Sequence, residues 1–356
     1  MPKKMILSLL LSVMLVFVSS CGTEKQASAG NDTPAPTSVQ TPEAAASTPA
    51  DEPTFNGDFI IPDSSVRPVA VMIDNQGDLV LPQGGISQAQ IVYEILAEGN
   101  ITRYMAFFWN TMPEMVGPVR SSRHYFLDYS MEYDAVYTHF GWSEYAKKDI
   151  KKLKIQNING LINGDAFWDI TKDRKNWQDS YTSRDRIEKQ ISALKYRTKP
   201  DKPFPFRYYE ELTVPEKGRK AVDIAIKFIS DTNRCSFLYD SDTNMYDRTR
   251  MGKPHMERNT EEQVKAANII ILEIASPLIP NDPEGRRNLK DIGTGDGLFI
   301  TGGVAKPITW AKEARDAQTT YTKENGEKVM LNRGQTWIEI VPTFAFIPSL
   351  VTKKAL

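Results

Sequence analysis

Pro68-Val-Ala-Val-Met-Ile73 carries no polar side chain and stops abruptly at Asp74-Asn75. A short continuous apolar run of this kind reads as a buried strand with polar groups at its carboxyl end. Outward from it, Gln76 to Gly85 is a loop marked by Gly77, Pro82, Gly84 and Gly85. From Ser87 to Glu98 the spacing predicts a helix: Ala89, Val92, Ile95 and Leu96 share one helical face, and Gly99 stands at the stop. Thr102 to Trp109 reads as a second strand and Ala135 to Phe140 as a third. Between them, Pro118 is followed by Ser121 and Ser122, either a good N-cap, with helix expected on to Tyr133. A further helix is expected over Ser143 to Leu153. Strands alternating with helices point to a layered α/β core.

Lys199 to Pro205 holds three prolines and marks a boundary. Beyond it the pattern turns to short strands: Val222 to Ile229, Ser236 to Asp240, Asn268 to Ile274, Leu298 to Thr301, Ile308 to Trp310 and Thr336 to Val341. A short helix is expected from Glu261, and Asn325-Gly326 splits Tyr321 to Leu331 as a hairpin turn. The fold class is therefore α+β: a layered α/β N-terminal domain over residues 59–200, followed by a mainly β C-terminal domain over 206–351.

The beginning of the chain reads differently. Lys3 and Lys4 precede an apolar run, Met5 to Val18, and then Ser19-Ser20-Cys21. That order is an export signal, and the run is shorter than the ~20 residues of a spanning helix. Small residues before a cysteine resemble a bacterial lipobox, so 1–20 is expected to be a lipoprotein signal peptide. Cys21 is then the lipidated (palmitate-bearing) residue that anchors the protein to the extracytoplasmic face of the cell membrane. Residues 21–58, rich in Thr, Ala, Ser and Pro, form a disordered tether in this reading. A net charge of -1 argues against a general polyanion binder, and Tyr246 with Arg248 and Arg250 is too little for a nucleic-acid stacking groove. Cys235 is the one other cysteine, expected as a small buried hydrophobe.

Met115-Val-Gly-Pro-Val-Arg-Ser-Ser-Arg-His-Tyr-Phe126 holds the residues most able to carry chemistry. If Ser121 or Ser122 caps a helix, Arg120 and Arg123 flank a positive helix terminus, and guanidinium forks suit phosphate and carboxylate alike. Internal pairing explains the same corner equally well. Glu94 and Glu98, four apart on the expected helix, read either as an acid/base pair or as a solvated face bridged to Arg103. Asp74 and Asn75 end the first strand and His139 the third. If those strands are parallel neighbours, the two ends and the arginine corner converge, since ligands bind outside the carboxyl ends of such strands. The candidate ligand-binding residues are thus Asp74, Asn75, Glu94, Glu98, Arg103, Arg120, Ser121, Arg123 and His139.

Other motifs fail on inspection. Asp240-x-Asp242-x-Asn244 lacks the glycine and glutamate of an EF-hand loop and is better read as a hairpin turn. Gly293-Thr-Gly-Asp-Gly297 precedes a strand, unlike a phosphate loop, and reads as a turn. Gly141-Trp-Ser143-Glu-Tyr145 lacks the second glycine of a nucleophile elbow. His124, His139 and His255 show no metal-ligand spacing, and His255 reads as a loop residue. No metal and no cofactor are expected.

Ala70-Val-Met-Ile-Asp-Asn75, Gly85-Ile-Ser-Gln-Ala-Gln-Ile-Val-Tyr-Glu94, Glu98-Gly-Asn-Ile-Thr-Arg103 and Gly117-Pro-Val-Arg-Ser-Ser-Arg123 together resemble the YerB family of bacterial lipoproteins. Tyr246-x-Arg248, Gly252-Lys-Pro-His255, Ile308-Thr-Trp310 and Gly334-Gln-Thr-Trp-Ile338 are similar to that family's C-terminal domain. The resemblance implies a lipid-anchored, two-domain protein and no particular activity. One departure stands out. Where the family tends to carry a Pro-His-Asn-Leu-Tyr-like segment, this chain has Asn176-Trp-Gln-Asp-Ser-Tyr181, without the histidine. Two functions follow: a binding or accessory factor of the cell envelope that takes an anionic polymer or partner protein, or an enzyme on a phosphate or glycan substrate. A purely structural pairing of the charges is the third reading.

Overall fold

The computed structural model describes residues 59–347, apart from 174, 175, 177 and 230–232. The signal peptide, Cys21, the tether and residues 348–351 lie outside the described residues. The first half supplies strands β1 (Val69–Asp74), β2 (Ile91–Leu96), β3 (Thr102–Phe108), β4 (Val136–His139), β5 (Asn157–Asn159), β6 (Trp168–Asp169) and β7 (Ser180–Tyr181). Its helices are α1 (Phe126–Glu132), α2 (Glu144–Lys152) and α3 (Arg184–Ala193). The second half runs through β8 (Arg219–Lys220), β9 (Asp223–Ile226), β10 (Cys235–Asp240), β11 (Met245–Arg250), β12 (Lys253–Pro254) and β13 (Lys265–Ala266). It continues with β14 (Asn268–Glu273), β15 (Gly293–Thr301), β16 (Val304–Lys312), β17 (Thr320–Lys323) and β18 (Thr336–Val341). Few helices beside much strand make the protein α+β.

One sheet runs through both halves, in the order β17-β16-β15-β14-β18-β2-β3-β1-β4-β5, with β8 on β16. β18 pairs in parallel with β2 on one side and β14 on the other. A smaller sheet, β12-β11-β10-β9 with β13 on β11, lies apart from this path. The alternation of side chains along each strand divides the interior in two. Val71, Val92, Tyr104 and Trp337 face a core shared with Ile224, Phe237 and Tyr246 of the smaller sheet and Ile187 of α3. Met72, Tyr93, Met105 and Ile338 face the other core, with Phe126 and Tyr129 of α1 and Ile150 of α2. The segment after the prolines packs too, with Phe204 edge-on to Trp109 and Phe206 stacked on Tyr321.

Three expectations are corrected. Ile91–Leu96 is a strand, not part of a helix, and every residue in it is buried. Covered on both faces, it has no exposed side to impose an alternation, so Val92, Ile95 and Leu96 imitate helical spacing while alternating between the two cores. The short helix from Glu261 is absent. There Glu257 O accepts from Glu261 N, and the chain enters β13. Gly293 to Gly297 is not a turn but the first part of β15, paired with Gly297↔Ile308 through Gly293↔Lys312. A Cβ on Gly295 would meet the Trp310 ring at 2.7 Å, which is why glycine stands in this strand. His255 does lie outside any strand, just past β12, but it is buried, and its backbone bridges Arg248 and Val264.

Candidate functional site

β1 and β4 are parallel neighbours, and so are β4 and β5. Their carboxyl ends therefore share one end of the sheet. Residues 118–123 run beside the end of β1: Asp74 N donates to Pro118 O and Arg120 N to Met72 O, each at 2.9 Å. Gly117 makes the corner with φ +152°, where a Cβ would come within 3.0 Å of Ser180 O and the Tyr181 ring. The helix cap expected at Ser121 or Ser122 is not formed. Ser122 N donates to Gly141 O at 3.0 Å and Ser122 O accepts from Ser143 N at 3.1 Å, so this backbone is already paired. α1 begins only at Phe126 and has no side-chain cap.

Three guanidinium groups gather at this corner around two carboxylates. Asp74 is 3.1 Å from Arg120 Nε and also accepts from Gln178 Nε2 and Gln76 N, both at 3.1 Å. Glu98 accepts from Arg103 Nη2 and Arg123 Nε, each at 2.8 Å, and Arg123 Nη2 closes a bidentate fork. Arg103 Nη1 donates to Ser121 O at 2.8 Å. Burial opposes the charge on Glu98, but Arg123 and Arg103 overrule it and hold the carboxyl at about 2. Burial, then repulsion from Arg123, lowers Arg103 to about 10, with Glu98 acting the other way. Arg120 is lowered as well, first by burial, with Asp74 opposing. The side chains of Arg103 and Arg123 are 1% and 9% exposed, whereas Arg120 is 21% exposed.

His139 lies beside this cluster with both ring nitrogens engaged. Nδ1 is 2.7 Å from Gly141 O and Nε2 is 3.1 Å from Asn157 Oδ1. Burial lowers its pKa to about 4, against the pull of those two partners. A neutral ring with both nitrogens bonded inward is poorly placed for proton transfer.

The expected pairing of Glu94 with Glu98 on one helical face is overturned, because Glu94 sits in β2. It belongs to a second polar cluster, on the other face of the sheet. Glu94 bonds Arg248 and Thr102 and lies 3.2 Å from Asn75 Nδ2. The Arg248 guanidinium is 4.1 Å from the centre of Trp337, 5.2 Å from Tyr104 and 5.5 Å from Phe237. Its Nη1 is 2.7 Å from His255 Nδ1, and His255 Nε2 is 2.8 Å from Gln83 Oε1. Arg250 bonds both the side chain and the backbone O of Asn75. Glu339 lies opposite Glu94 in the β18–β2 register. Burial, then repulsion from Glu94, raises it well above the carboxylate range. The ligand atoms of Glu94, Cys235 and Glu339 lie within 4.8 Å of one another and are the group among the described residues able to hold a metal ion. Arg248, however, already brings a cation against Glu94.

The nine candidate residues thus divide. Asp74, Glu98, Arg103, Arg120, Ser121 and Arg123 come together at the arginine corner, with His139 next to it. Asn75 and Glu94 turn to the opposite face and join Arg248. Sequence reasoning passes over Gln178, Gln83 and Glu339 and sets Arg248, Arg250 and His255 aside. A signal for the arginines is present: Tyr246, Arg248 and Arg250 alternate along β11 and all three are buried.

Comparison with known proteins places this chain in a family. Residues 60–197 match the family described as "Protein of unknown function (DUF3048) N-terminal domain", and residues 224–338 match its C-terminal domain. The chain belongs to this two-part family. It is 36% identical over 280 residues to "Putative lipoprotein YerB" of Bacillus subtilis (strain 168), covering 78% of this chain and 81% of that protein. The crystal structure of YerB from Bacillus subtilis superposes with a TM-score of 0.71 at 32% identity, covering 80% of this chain and 93% of that one. The kinship is to a protein named as a putative lipoprotein, within a family of unknown function. Among the described residues no helix is long and apolar enough to cross a membrane.

Proposed function

We propose that the chain is held on the extracytoplasmic face through lipid on Cys21 and acts as a binding or accessory factor of the cell envelope. The ligand is an anionic group, taken at the arginine corner. The observation that carries this reading is the charge balance there. Arg103, Arg120 and Arg123 face Asp74 and Glu98, which leaves one positive charge in surplus within the cluster. Mutual repulsion already weighs on Arg103. An arriving phosphate or carboxylate relieves it, and Arg120 is the member that reaches solvent. The enzymatic alternative loses one of its candidate bases, since His139 is buried, bonded at both nitrogens and held neutral.

The test is thermal melting of the full chain in detergent, for wild type and Arg120→Ala, with and without pyrophosphate. A ligand that binds the native state stabilises it by ~2.7 kcal/mol at a hundred times its Kd. The wild type is expected to melt higher with pyrophosphate, while the variant melts cooperatively and does not respond. No response in the wild type, or an equal response in both, would remove the anion site.

A further inference from the structure

The anion site is bordered by exposed hydrocarbon. Leu79, Leu161 and Ile162 are 73%, 64% and 68% exposed, the highest values for large hydrophobic side chains among the described residues. Leu161 and Ile162 follow β5, at the same end of the sheet as Asp74, because β1, β4 and β5 run parallel, whereas Leu79 follows Asp78, which pairs with Arg250. Asn159 Oδ1 pins the loops together, accepting from Gly141 N at 2.9 Å and Leu161 N at 3.1 Å. A Cβ on Gly141 would lie 3.3 Å from Ser121 Oγ and 3.6 Å from Leu161 Cδ1. Arg120 Nη1 is 3.3 Å from that same Ser121 Oγ. The solvent-reaching arginine and the exposed leucine thus flank one glycine.

We infer that this end of the sheet rests on the membrane, with Arg120 on the phosphate of an anionic lipid headgroup and Leu161 and Ile162 in the interfacial hydrocarbon. The inference rests on the anion reading of the arginine corner. A site for a soluble phosphate needs no aliphatic rim, and exposed aliphatic patches mark surfaces that are covered in use. A cation set among exposed aliphatic side chains matches the interface of an acidic membrane, where headgroup charge and acyl hydrocarbon lie a few ångströms apart. Kinship to a lipoprotein keeps such a surface within reach.

The test is hydrogen exchange on the full chain, reconstituted in vesicles of phosphatidylcholine alone or with added phosphatidylglycerol. Amides of residues 160–163 are expected to exchange several-fold more slowly on the phosphatidylglycerol vesicles, with no change at the Gly302-Gly303 turn. Replacing Leu161→Ser and Ile162→Ser together, both exposed and so tolerable to the fold, is expected to abolish the difference. Equal exchange on both vesicles overturns the inference, and so does protection that survives the double substitution. If pyrophosphate on phosphatidylcholine vesicles gives the same protection, the ligand is a soluble phosphate and the lipid assignment fails. Pyrophosphate stabilisation without vesicle protection leaves the anion site standing and removes its membrane role. Failure of both removes both.

Discussion

Arg248 has no exposed surface, and its charge is met by Glu94 and by the faces of Trp337, Tyr104 and Phe237. Arg248→Met keeps much of the volume and deletes the cation, leaving Glu94 and Glu339 side by side in a dry core. Removing one partner of a buried pair costs ~3–5 kcal/mol. Denaturant unfolding of this variant is therefore expected to show a loss of that size, and a loss below ~1 kcal/mol would show that a shared proton between the two glutamates compensates. The residue is visible in the sequence, but its partner lies 154 positions away. Nothing local connects the two. For Glu98 the opposite holds. Its bond to Arg103 spans only five residues, close enough along the chain for the sequence alone to suggest a salt bridge.

At the level of elements, strands punctuated at an end are legible in the sequence even when both faces are buried. β1, β3, β4 and β14 stand out because a charge, a glycine or a proline punctuates them. β2 reads as a helix because no exposed face imposes an alternation when every position is buried, and a short, largely apolar run then has two solutions. Ser143 shows a local signal carrying through: its side chain accepts from Ala146 N at 3.2 Å, and α2 starts where that cap predicts. Ser121 and Ser122 give the same signal falsely, because neighbouring loops claim their backbone. The segment they occupy depends on its corner. Gly117→Ala places a methyl 3.0 Å from Ser180 O at φ +152°, a strain of ~1–3 kcal/mol. The substitution is expected to lower the melting temperature and weaken the pyrophosphate response together. A lowered melting point with an unchanged response would show that the arginines hold their positions without this turn.

For the whole molecule, the two family segments are separate along the chain yet joined in one sheet. β18 completes the middle, and β2 has no partner on that side without it. Residues 59–205 expressed alone would expose the edge of β2, and an uncovered apolar strand edge invites aggregation. That fragment is expected to be insoluble or to melt without cooperativity, and co-expression with residues 206–356 to restore a soluble complex. A cooperative melt of the first fragment alone would show that it is autonomous. Composition and turn signals recover the division of labour between the halves, since the second half is mainly strand. They carry no sign of the shared sheet, because parallel pairing across such a distance leaves no trace in neighbouring residues.

That pairing also sets an order in time. Gln335 donates to Ile86 O and Ala89 O, the former 249 residues earlier, just before β18 slides beside β2. The first half can make its hairpins as it emerges, but neither core can close until nearly the last strand has left the ribosome or a membrane channel. Non-local closure of this kind is slow. Closure of both cores therefore falls at the end of folding, when β18 enters between β14 and β2.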